Sequence, residues 1–285
     1  MCKLRIALQK NGRLSQKSIE LLQECGIRFP NGSGKLLTES SNFPIEILFL
    51  RDDDIPQYVE QQVADIGIIG ENVLMESPKD VVVIKKLGFS SCRLSLAVPK
   101  ETEYEGPEFF NNKRIATSYP SILSGYFEKK GIEATIELIS GSVEIAPGIG
   151  LADAVFDIVS SGSTLLSNGL REVEKVADSE AILIASSGLD TERTLLLDKL
   201  LLRIQAVQKA AAHKYILLNA PNTQLKSIQE LLPGMKSPTV LPLAENGWSS
   251  LHSVIPEDDF WNVIDALQNA GAQGILVVPI EKMIL

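Results

Sequence analysis

The chain has 285 residues, of which 45% are hydrophobic and 22% are charged, a composition typical of a globular protein with two domains or three small lobes. Its formal net charge of −9 argues against broad nucleic-acid binding, because a basic face supplies most of that affinity. The two histidines, His213 and His252, lie far apart, which disfavours a histidine-rich zinc site and a Ser-His-Asp triad. No stretch approaches the roughly 18 to 20 apolar residues that span a membrane.

The three cysteines, Cys2, Cys25 and Cys92, are odd in number and lack a CxxC spacing, which fits a reduced cytosol. We interpret them as small apolar residues rather than catalytic thiols, because no histidine lies nearby to activate them. The first residues, "MCKLRIALQK", indicate a strand rather than the apolar core of a signal peptide. We therefore expect a cytoplasmic protein.

In chain order, the first segment alternates strands with helices. "KLRIAL" predicts a strand, and Ser15 is placed to cap a helix that ends at Gly26. "IEILFL" predicts a second strand, "RDDDIPQYVEQQ" a second helix, and "ADIGIIG" a buried third strand. This order is typical of a parallel sheet with helices on its faces.

A second segment of the same style begins near Cys92. "CRLSLAVP", "RIATSY" and "ATIELIS" predict strands, and residues 120–130 predict a helix. "VADIGIIG" (63–70) resembles "LADAVFDIV" (151–159), since in both an Ala-Asp pair enters an apolar strand that ends at a small-residue loop. The repeat predicts two similar lobes that face each other across a cleft, and "EAILIAS" returns the chain to the first lobe.

A long predicted helix, "TERTLLLDKLLLRIQAVQKAAA", leads to a different module. From Tyr215 onward the order strand, helix, strand, strand, helix, strand is the ferredoxin-like arrangement. We therefore predict an α/β protein, with a two-lobed body like that of periplasmic binding proteins and a C-terminal ferredoxin-like (βαββαβ) domain. The expected boundaries are residues 1–92 with a return segment 180–205 for the first lobe, 93–179 for the second, and 206–285 for the C-terminal domain.

The stretch "DIVSSGSTL" ends a predicted strand with five small residues, which are Ser160, Ser161, Gly162, Ser163 and Thr164. Backbone N–H groups and hydroxyls in such a loop can hold a phosphate, and the N-terminus of the following "LLSNG" helix would add positive charge. The alternative is a plain polar turn.

Two aspartates precede this loop. Asp153 and Asp157 stand four apart on a strand, so their side chains share one side and can both accept hydrogen bonds from sugar hydroxyls. Together with the loop they predict a ribose-5-phosphate site. The alternative is that one aspartate caps a "GIGLAD" helix and the other is solvated.

Three basic residues follow the predicted strands of the first lobe. Lys10 and Arg13 come after the first strand and Arg51 after the second, where ligands of open α/β sheets collect. Arginine can grip pyrophosphate oxygens with two hydrogen bonds, so these residues predict an anion-binding edge. Each of the three alone is better explained as a solvated surface charge, and it is their occurrence together at two strand ends that favours the anion-binding edge. Residues 52–54 are interpreted as acids at the start of the following helix.

Long motifs resemble one enzyme family. "LQKNGRLSQKSIELLQECGI", "RDDDIPQYVEQQVADIGIIGENVL", "RIATSYP" and "GSVEIAPGIGLADAVFDIVSSGSTLLSNGLREVE" occur in the order found in ATP phosphoribosyltransferase. The resemblance continues through "SPTVLPLA" to "ILVVPIEKM", which is similar to the long form with its own regulatory domain rather than the short form with a separate subunit.

The resemblance implies transfer of the phosphoribosyl group of phosphoribosyl pyrophosphate to N1 of ATP, with release of pyrophosphate and feedback inhibition by histidine. It implies catalytic roles for Arg13, Arg51 and Asp157, and substrate binding by Lys10, Asp65, Glu144, Asp153, Ser160, Ser161, Gly162, Ser163 and Thr164. Ser161 and Ser163 replace the family's more frequent Thr and Thr or Ala, so we expect altered affinity. Asn219 and Thr239 would bind histidine, unless they are ordinary polar residues at strand ends.

The resemblance also implies Mg²⁺ as cofactor, bound mainly through the substrate pyrophosphate rather than by the protein directly. The implied partners are ATP, phosphoribosyl pyrophosphate, histidine and further copies of the chain, as dimers that form hexamers, with no nucleic acid, membrane or separate regulatory subunit.

Two other functions are considered. A non-enzymatic solute-binding module shares the two-lobed cleft, but it does not require an acid pair beside a phosphate loop. An ordinary purine-type phosphoribosyltransferase would carry its paired acids immediately before the loop, whereas Ile158 and Val159 intervene here.

Overall fold

The computed structural model describes residues 2–30 and 36–284. The chain divides into two compact units, Met1–Glu20 with Arg28–Leu196, and Leu21–Ile27 with Leu197–Leu285. Within the described ranges, no helix combines the length and the apolar character needed to cross a membrane. The α-helices are α1 (Arg13–Glu24), α2 (Ile55–Glu60), α3 (Glu71–Glu76), α4 (Pro120–Lys130), α5 (Ser163–Ser167), α6 (Thr191–Ala211), α7 (Leu225–Leu231) and α8 (Glu257–Asn269).

The first unit contains two sheets, which we call lobe I and lobe II. The lobe I sheet has the order β2-β3-β1-β4-β11-β5. Its strands are β1 (Leu4–Gln9), β2 (Leu37–Glu39), β3 (Ile45–Leu50), β4 (Ile66–Gly70), β5 (Val81–Lys86) and β11 (Ala181–Ser186). β1 pairs in parallel with β3 and β4, while β11 is antiparallel to β4 and β5. Central strands such as β4 are buried on both faces, which explains why they are continuously apolar.

The lobe II sheet has the order β10-β6-β9-β7-β8. Its strands are β6 (Cys92–Pro99), β7 (Arg114–Thr117), β8 (Thr135–Leu138), β9 (Ala154–Val159) and β10 (Leu170–Ser179). β7 is parallel to β8 and β9, whereas β6 is antiparallel to β9 and β10. Fully buried Phe110 and Phe156 belong to the core on one side of this sheet.

Two crossover segments join the lobes. The chain leaves lobe I after β5 and returns from lobe II at β11, as "EAILIAS" predicted. The two crossovers are hydrogen-bonded to each other, from Leu87 N to Ala181 O at 2.8 Å and from Ala181 N to Phe89 O at 3.0 Å. Gly88 N also donates to Glu180 Oε2 at 2.9 Å. The two crossovers therefore form one paired connection between the lobes.

The second unit carries a four-stranded sheet of order β13-β14-β12-β15. Its strands are β12 (His213–Pro221), β13 (Thr239–Pro242), β14 (Trp248–Pro256) and β15 (Gln273–Pro279). All neighbouring pairs are antiparallel, and α7 and α8 pack on one face around Ile216, Leu251 and Phe260. This is the βαββαβ arrangement, and the predicted fold class is confirmed.

Several local predictions differ from the structure. α1 begins at Arg13, so Ser15 lies inside the helix, buried, and does not cap it. The "GIGLAD" helix of the alternative interpretation is absent: residues 148–150 lie in a turn that follows a short 3-10 helix, Val143–Ile145, because Gly148 and Gly150 disfavour a continuous helix. Strands β2, β5 and β10 and helix α3 were not predicted.

Candidate active site

A cavity of about 380 Å³ lies where the strand ends of the two lobes meet. From lobe I it is lined by Gln9, Arg13, Leu14, Lys17, Asp52, Gly70, Asn72 and Val73. From the crossover and lobe II it is lined by Ser90, Ser91, Cys92, Tyr119, Ile158 and Ser160. Most of these residues stand at or just beyond the carboxyl ends of β1, β3, β4, β7 and β9, which is where open α/β sheets bind ligands.

The three predicted basic residues lie together at the edge of lobe I. Gln9 and Leu50 are partners in the β1–β3 pairing, and Lys10 N donates to Leu50 O at 2.8 Å, so Lys10 and Arg51 leave neighbouring strand ends. The Arg51 side chain is 80% exposed, with Asp53 Oδ2 at 3.8 Å from its Nη2. Arg13 begins α1 and lines the cavity. Lys10 and Arg51 are not among the described residues that line the cavity, so this edge carries three cations of which one, Arg13, reaches it.

Lys17 adds a cation that the sequence analysis missed. It lies one helical turn after Arg13 on α1, and both line the cavity. The i, i+4 spacing on a predicted helix was the signal that could have found it.

Ser160, Ser161 and Gly162 of the hydroxyl-rich loop directly follow β9, and Ser163 and Thr164 are the first two residues of the five-residue helix α5, which begins before the predicted "LLSNG". Gly162 has φ +79°, a left-handed conformation that favours glycine. The loop is largely exposed, and the hydroxyls of Ser161 and Ser163 are 3.0 Å apart. Because α5 is so short, the donors available to an anion are chiefly the loop's own N–H groups and hydroxyls.

Asp157 lies on β9, two residues before the end of the strand, and its Oδ1 accepts the N–H of Ile158 at 2.7 Å. Burial raises the pKa of Asp157 above its usual range, and the negative charge of Glu144 raises it further. Glu144 stands on the short 3-10 helix Val143–Ile145. Glu144 and Asp157 are thus near enough for the charge of one to affect the pKa of the other.

Asp153 lies at the other end of β9. Its Oδ2 accepts the N–H of Arg114 at 2.8 Å, and its Oδ1 is 3.7 Å from Arg114 Nη2. Four residues of strand separate Asp153 from Asp157 by about 13 Å. The two side chains share a face of the strand but are not brought to one site, and neither is among the described residues that line the cavity, to which this segment contributes Ile158 and Ser160.

Asp65 has the equivalent position on β4. Its Oδ2 accepts the N–H of Arg5 at 2.6 Å, and its Oδ1 is 3.1 Å from Arg193 Nε. The side chain is 13% exposed and stands at the amino end of the strand, whereas Gly70 at the carboxyl end lines the cavity. These contacts give Asp65 a structural role.

Tyr119 and Asn72 are cavity residues that the sequence analysis did not select. Tyr119 follows β7, and its hydroxyl accepts a hydrogen bond from Asn72 Nδ2 at 3.4 Å. Asn72 is buried, and its backbone N–H and side-chain oxygen are both bonded to the Ser179 hydroxyl. Burial raises the pKa of Tyr119, so its phenol stays neutral. Tyr119 follows the strand "RIAT", so a search for ligand-binding residues after the carboxyl end of this strand, as was done for β1 and β3, would have found it.

Asp52 also lines the cavity, although residues 52–54 were expected only to serve the helix start. Asp52 begins the 3-10 turn Asp52–Asp54 that leads into α2. Burial raises the pKa of Asp52, and the charge of neighbouring Asp53 acts in the same direction. Within the described residues, no group of three or more His, Cys, Asp or Glu side chains forms a metal cage.

In the second unit, Asn219 and Thr239 lie on the sheet face opposite the helices. Asn219 pairs with Ser250 and Thr239 with His252 across neighbouring strands. His252 Nδ1 is 2.6 Å from the Tyr215 hydroxyl, and its Nε2 is 3.1 Å from Ser250 Oγ. The two predicted effector residues therefore flank a polar chain centred on His252.

Comparison with known proteins agrees with these observations. The family model described as ATP phosphoribosyltransferase matches residues 51–206, and the model described as HisG, C-terminal domain, matches residues 210–282. A curated relative from Cytophaga hutchinsonii, named ATP phosphoribosyltransferase, is 59% identical over 281 residues, which is 99% of this chain and 98% of that protein. One from Azobacteroides pseudotrichonymphae, with the same name, is 61% identical over 99% of this chain and 100% of its own length.

Solved structures support the same assignment. The ATP phosphoribosyl transferase (HisG:HisZ) complex from Thermotoga maritima contains a chain similar to this one with a TM-score of 0.61 at 32% identity, over 71% of this chain and 98% of that chain. A histidine kinase sensor domain with similarity to periplasmic binding proteins has a TM-score of 0.50 at 11% identity, over 73% of this chain and 90% of that chain, a likeness of fold alone. The predicted resemblance is confirmed, and the chain belongs to the ATP phosphoribosyltransferase family.

Proposed function

We propose that the cleft between lobes I and II transfers the phosphoribosyl group of phosphoribosyl pyrophosphate to N1 of ATP, as the first step of histidine biosynthesis. One observation carries the proposal. A single cavity is lined by two cations of lobe I, Arg13 and Lys17 on α1, and by Ser160, the first residue of the hydroxyl loop of lobe II. This arrangement suits a substrate with phosphate groups at both ends of a sugar.

The 5-phosphate of phosphoribosyl pyrophosphate binds the loop of residues 160–164, whose N–H groups and hydroxyls donate to it. Asp157 accepts hydrogen bonds from the ribose hydroxyls in its ionised form, and its charge stabilises the ribose ring as that ring becomes cationic. Glu144 is close enough to raise the pKa of Asp157, and we assign it to the same region of the substrate. Asp153 and Asp65 have structural partners and are left out of this assignment.

Lys10, Arg13 and Arg51 hold the pyrophosphate and the phosphates of ATP. Negative charge grows on the leaving pyrophosphate, so a cation there binds the transition state more tightly than the ground state. Adenine N1 carries a free lone pair, so the reaction needs no protein nucleophile, and positioning supplies much of the rate. The aromatic ring of Tyr119 and the apolar side chains of Leu14 and Val73 line the same cavity and suit the adenine ring.

Mg²⁺ enters as part of the phosphoribosyl pyrophosphate substrate, where it neutralises pyrophosphate charge. Among the described residues that line the cavity, Asp52 supplies a carboxylate that would lie beside this ion.

The experiment that tests the reaction measures pyrophosphate release. We expect release from ATP with phosphoribosyl pyrophosphate, and none when a free purine base replaces ATP. Release with free bases would favour an ordinary purine-type phosphoribosyltransferase. Binding of phosphoribosyl pyrophosphate without any release in the presence of ATP would favour the solute-binding alternative.

The C-terminal domain binds free histidine and inhibits the reaction from a distance. Histidine must bind one global state more tightly than another, with a coupling typically of about 1 to 3 kcal/mol. Asn219 and Thr239, on either side of the His252 chain, offer polar groups to an amino acid. A chain with its own domain of this kind needs no separate regulatory subunit, and we place it in the cytoplasm as a homo-oligomer.

Thr239→Arg should keep its activity without histidine but require much more histidine for inhibition. Thr223→Arg is the matched control, because it adds the same charge at an exposed site on the same domain. Equal sensitivity of Thr239→Arg and the wild type to histidine would remove this face from the regulatory assignment.

A further inference from the structure

The first residue of the hydroxyl loop is tied to the neighbouring strand by an arginine. Arg93, on β6, pairs with Val159 at the end of β9, and its Nη1 donates to the carbonyl of Ser160 at 3.0 Å. The rest of the guanidinium faces Glu172 on β10, with Nε donating to Oε1 at 2.6 Å and Nη2 donating to Oε2. Ser95 Oγ donates to the same Oε1 at 2.8 Å. A polar chain across three strands therefore ends on one loop carbonyl.

This contact sets the direction of a loop N–H group. In a trans peptide the C=O and the following N–H point to opposite sides of the chain. When Arg93 holds the carbonyl of Ser160 toward β6, the N–H of Ser161 must point away from β6. The same contact turns the carbonyl oxygen, which would repel an anion, away from the open side of the loop.

Arg93 is poorly suited to bind an anion itself. Its guanidinium is committed to Glu172 and Ser160, and the Glu172 carboxylate neutralises its charge. The side chains of Arg93 and Glu172 are 33% and 25% exposed. Arg93 holds the pKa of Glu172 below its usual range, so the pair remains ionised at neutral pH.

We propose that Arg93, held by Glu172, is a positioning residue that aims the N–H of Ser161 at the 5-phosphate of phosphoribosyl pyrophosphate. The proposal rests on the proposed function of the loop. Arg93 thus contributes to the affinity for phosphoribosyl pyrophosphate without touching that substrate.

The test compares substrate affinities in Arg93→Gln by calorimetric titration, with phosphoribosyl pyrophosphate and ATP titrated separately. We expect the Kd for phosphoribosyl pyrophosphate to rise about tenfold, since one hydrogen bond to a charged group is misdirected. The Kd for ATP should stay unchanged, which a general loss of structure would not produce. Arg171→Gln is the matched control, because Arg171 Nη2 also binds a backbone carbonyl of lobe II, that of Thr102 at 2.7 Å.

A double variant separates positioning from repulsion. Arg93→Gln leaves the Glu172 carboxylate uncompensated near an anion, which could by itself weaken binding. Arg93→Gln with Glu172→Gln removes both charges together and keeps the net charge of the wild type. We expect the loss of affinity to persist in the double variant, whereas recovery to the wild-type Kd would overturn the positioning role. The double variant also serves if circular dichroism shows that the single variant fails to fold.

The result distinguishes this inference from the proposed function. If the wild type does not bind phosphoribosyl pyrophosphate, the assignment of the loop itself fails. If the wild type and both variants bind it equally, the loop assignment stands and the positioning role of Arg93 is wrong.

Discussion

Strands β4 and β9 begin in the same way in the two lobes. Asp65 donates its N–H to Arg5 O at 2.9 Å and accepts the N–H of Arg5 at 2.6 Å, and so joins β4 to β1. Asp153 donates to Arg114 O at 2.8 Å and accepts the N–H of Arg114 at 2.8 Å, and so joins β9 to β7. The repeated Ala-Asp pair is thus a device that starts a parallel strand pair, with its carboxylate satisfying the first free N–H of the neighbouring strand.

The two strands end differently. β4 leads from Gly70 straight into α3, where a Cβ on Gly70 would collide with the amide oxygen of buried Asn72. β9 leads into an exposed loop where Gly162 has φ +79°, and a Cβ there would meet only Val159 Cγ1, at 3.8 Å. Gly70 is required because the side chain of Asn72 leaves no space for a Cβ, whereas Gly162 is required for its backbone conformation in an exposed loop. The two strands are alike at their amino ends, which join neighbouring strands, and they differ at their carboxyl ends, where a ligand would bind.

The largest expected effect separates these two glycines. Gly162→Val should nearly abolish binding of phosphoribosyl pyrophosphate and leave the fold intact, because a β-branched residue is strained at this φ and fills the approach of the anion. Gly70→Ala should instead lower the melting temperature, because Asn72 must move from its bonds to Ser179. Calorimetric titration and thermal melting of both variants check this. Wild-type affinity in Gly162→Val would make the loop a plain turn.

The next effect concerns the charge of lobe I. Arg51→Ala should lower kcat far more than it raises KM for ATP, because a contact to the leaving group strengthens as charge develops there. Loss of one such donor commonly costs about 3 to 4 kcal/mol. Steady-state kinetics with Arg28→Ala, an exposed arginine of the same unit, gives the control. An unchanged kcat would exclude Arg51 from the mechanism.

A smaller effect concerns the acids of lobe II. Because burial and Glu144 raise the pKa of Asp157, its carboxylate takes up a proton at a higher pH than an ordinary aspartate as the solution is acidified. If the ionised form binds ribose, kcat/KM for phosphoribosyl pyrophosphate should decrease as the pH is lowered past that raised pKa. This acidic limb of the pH profile reports the pKa in the free enzyme. Glu144→Gln should move the limb to lower pH, and Asp157→Asn should remove it. If neither substitution moved the acidic limb, the limb would report the titration of another group.

Much of this architecture could be predicted from sequence because it is locally encoded. β6 and α4 lie where the apolar pattern and Pro120 predicted them. β10 was missed because two register shifts, at Glu172/Glu174 and at Lys175/Ala177, interrupt the alternation that marks a strand.

The site was harder to predict, since a period of two tells which face a side chain shares but not how far apart two side chains lie. Asp153 and Asp157 are on one face, yet only Asp157 is near the loop. The link from Arg93 to Ser160 and Glu172 depends on antiparallel pairing between distant segments, and no spacing in the sequence reveals that register.

The smallest expected effect tests whether the aspartates at the amino ends of β4 and β9 have a structural role only. Asp153→Ala should cost about 1 kcal/mol of stability, since it leaves the N–H of Arg114 without its carboxylate partner. Asp153→Asn keeps an acceptor there and should cost less. Asp65→Ala should cost more than Asp153→Ala, because the Asp65 side chain is 13% exposed and also faces Arg193.

For these three variants, kcat/KM for phosphoribosyl pyrophosphate at neutral pH should stay at the wild-type value while the melting temperature falls. Each 1 kcal/mol lowers it by about 2 to 4 °C in a domain of this size. Asp157→Asn should show the reverse, a low kcat/KM with little loss of stability. Its stability changes little because burying the Asp157 carboxylate, which raises its pKa, itself costs free energy in the folded state. If Asp153→Ala lowered kcat/KM as far as Asp157→Asn does, the repeated aspartate would belong to the site after all, and the division between structural and ligand-binding ends of β9 would be wrong.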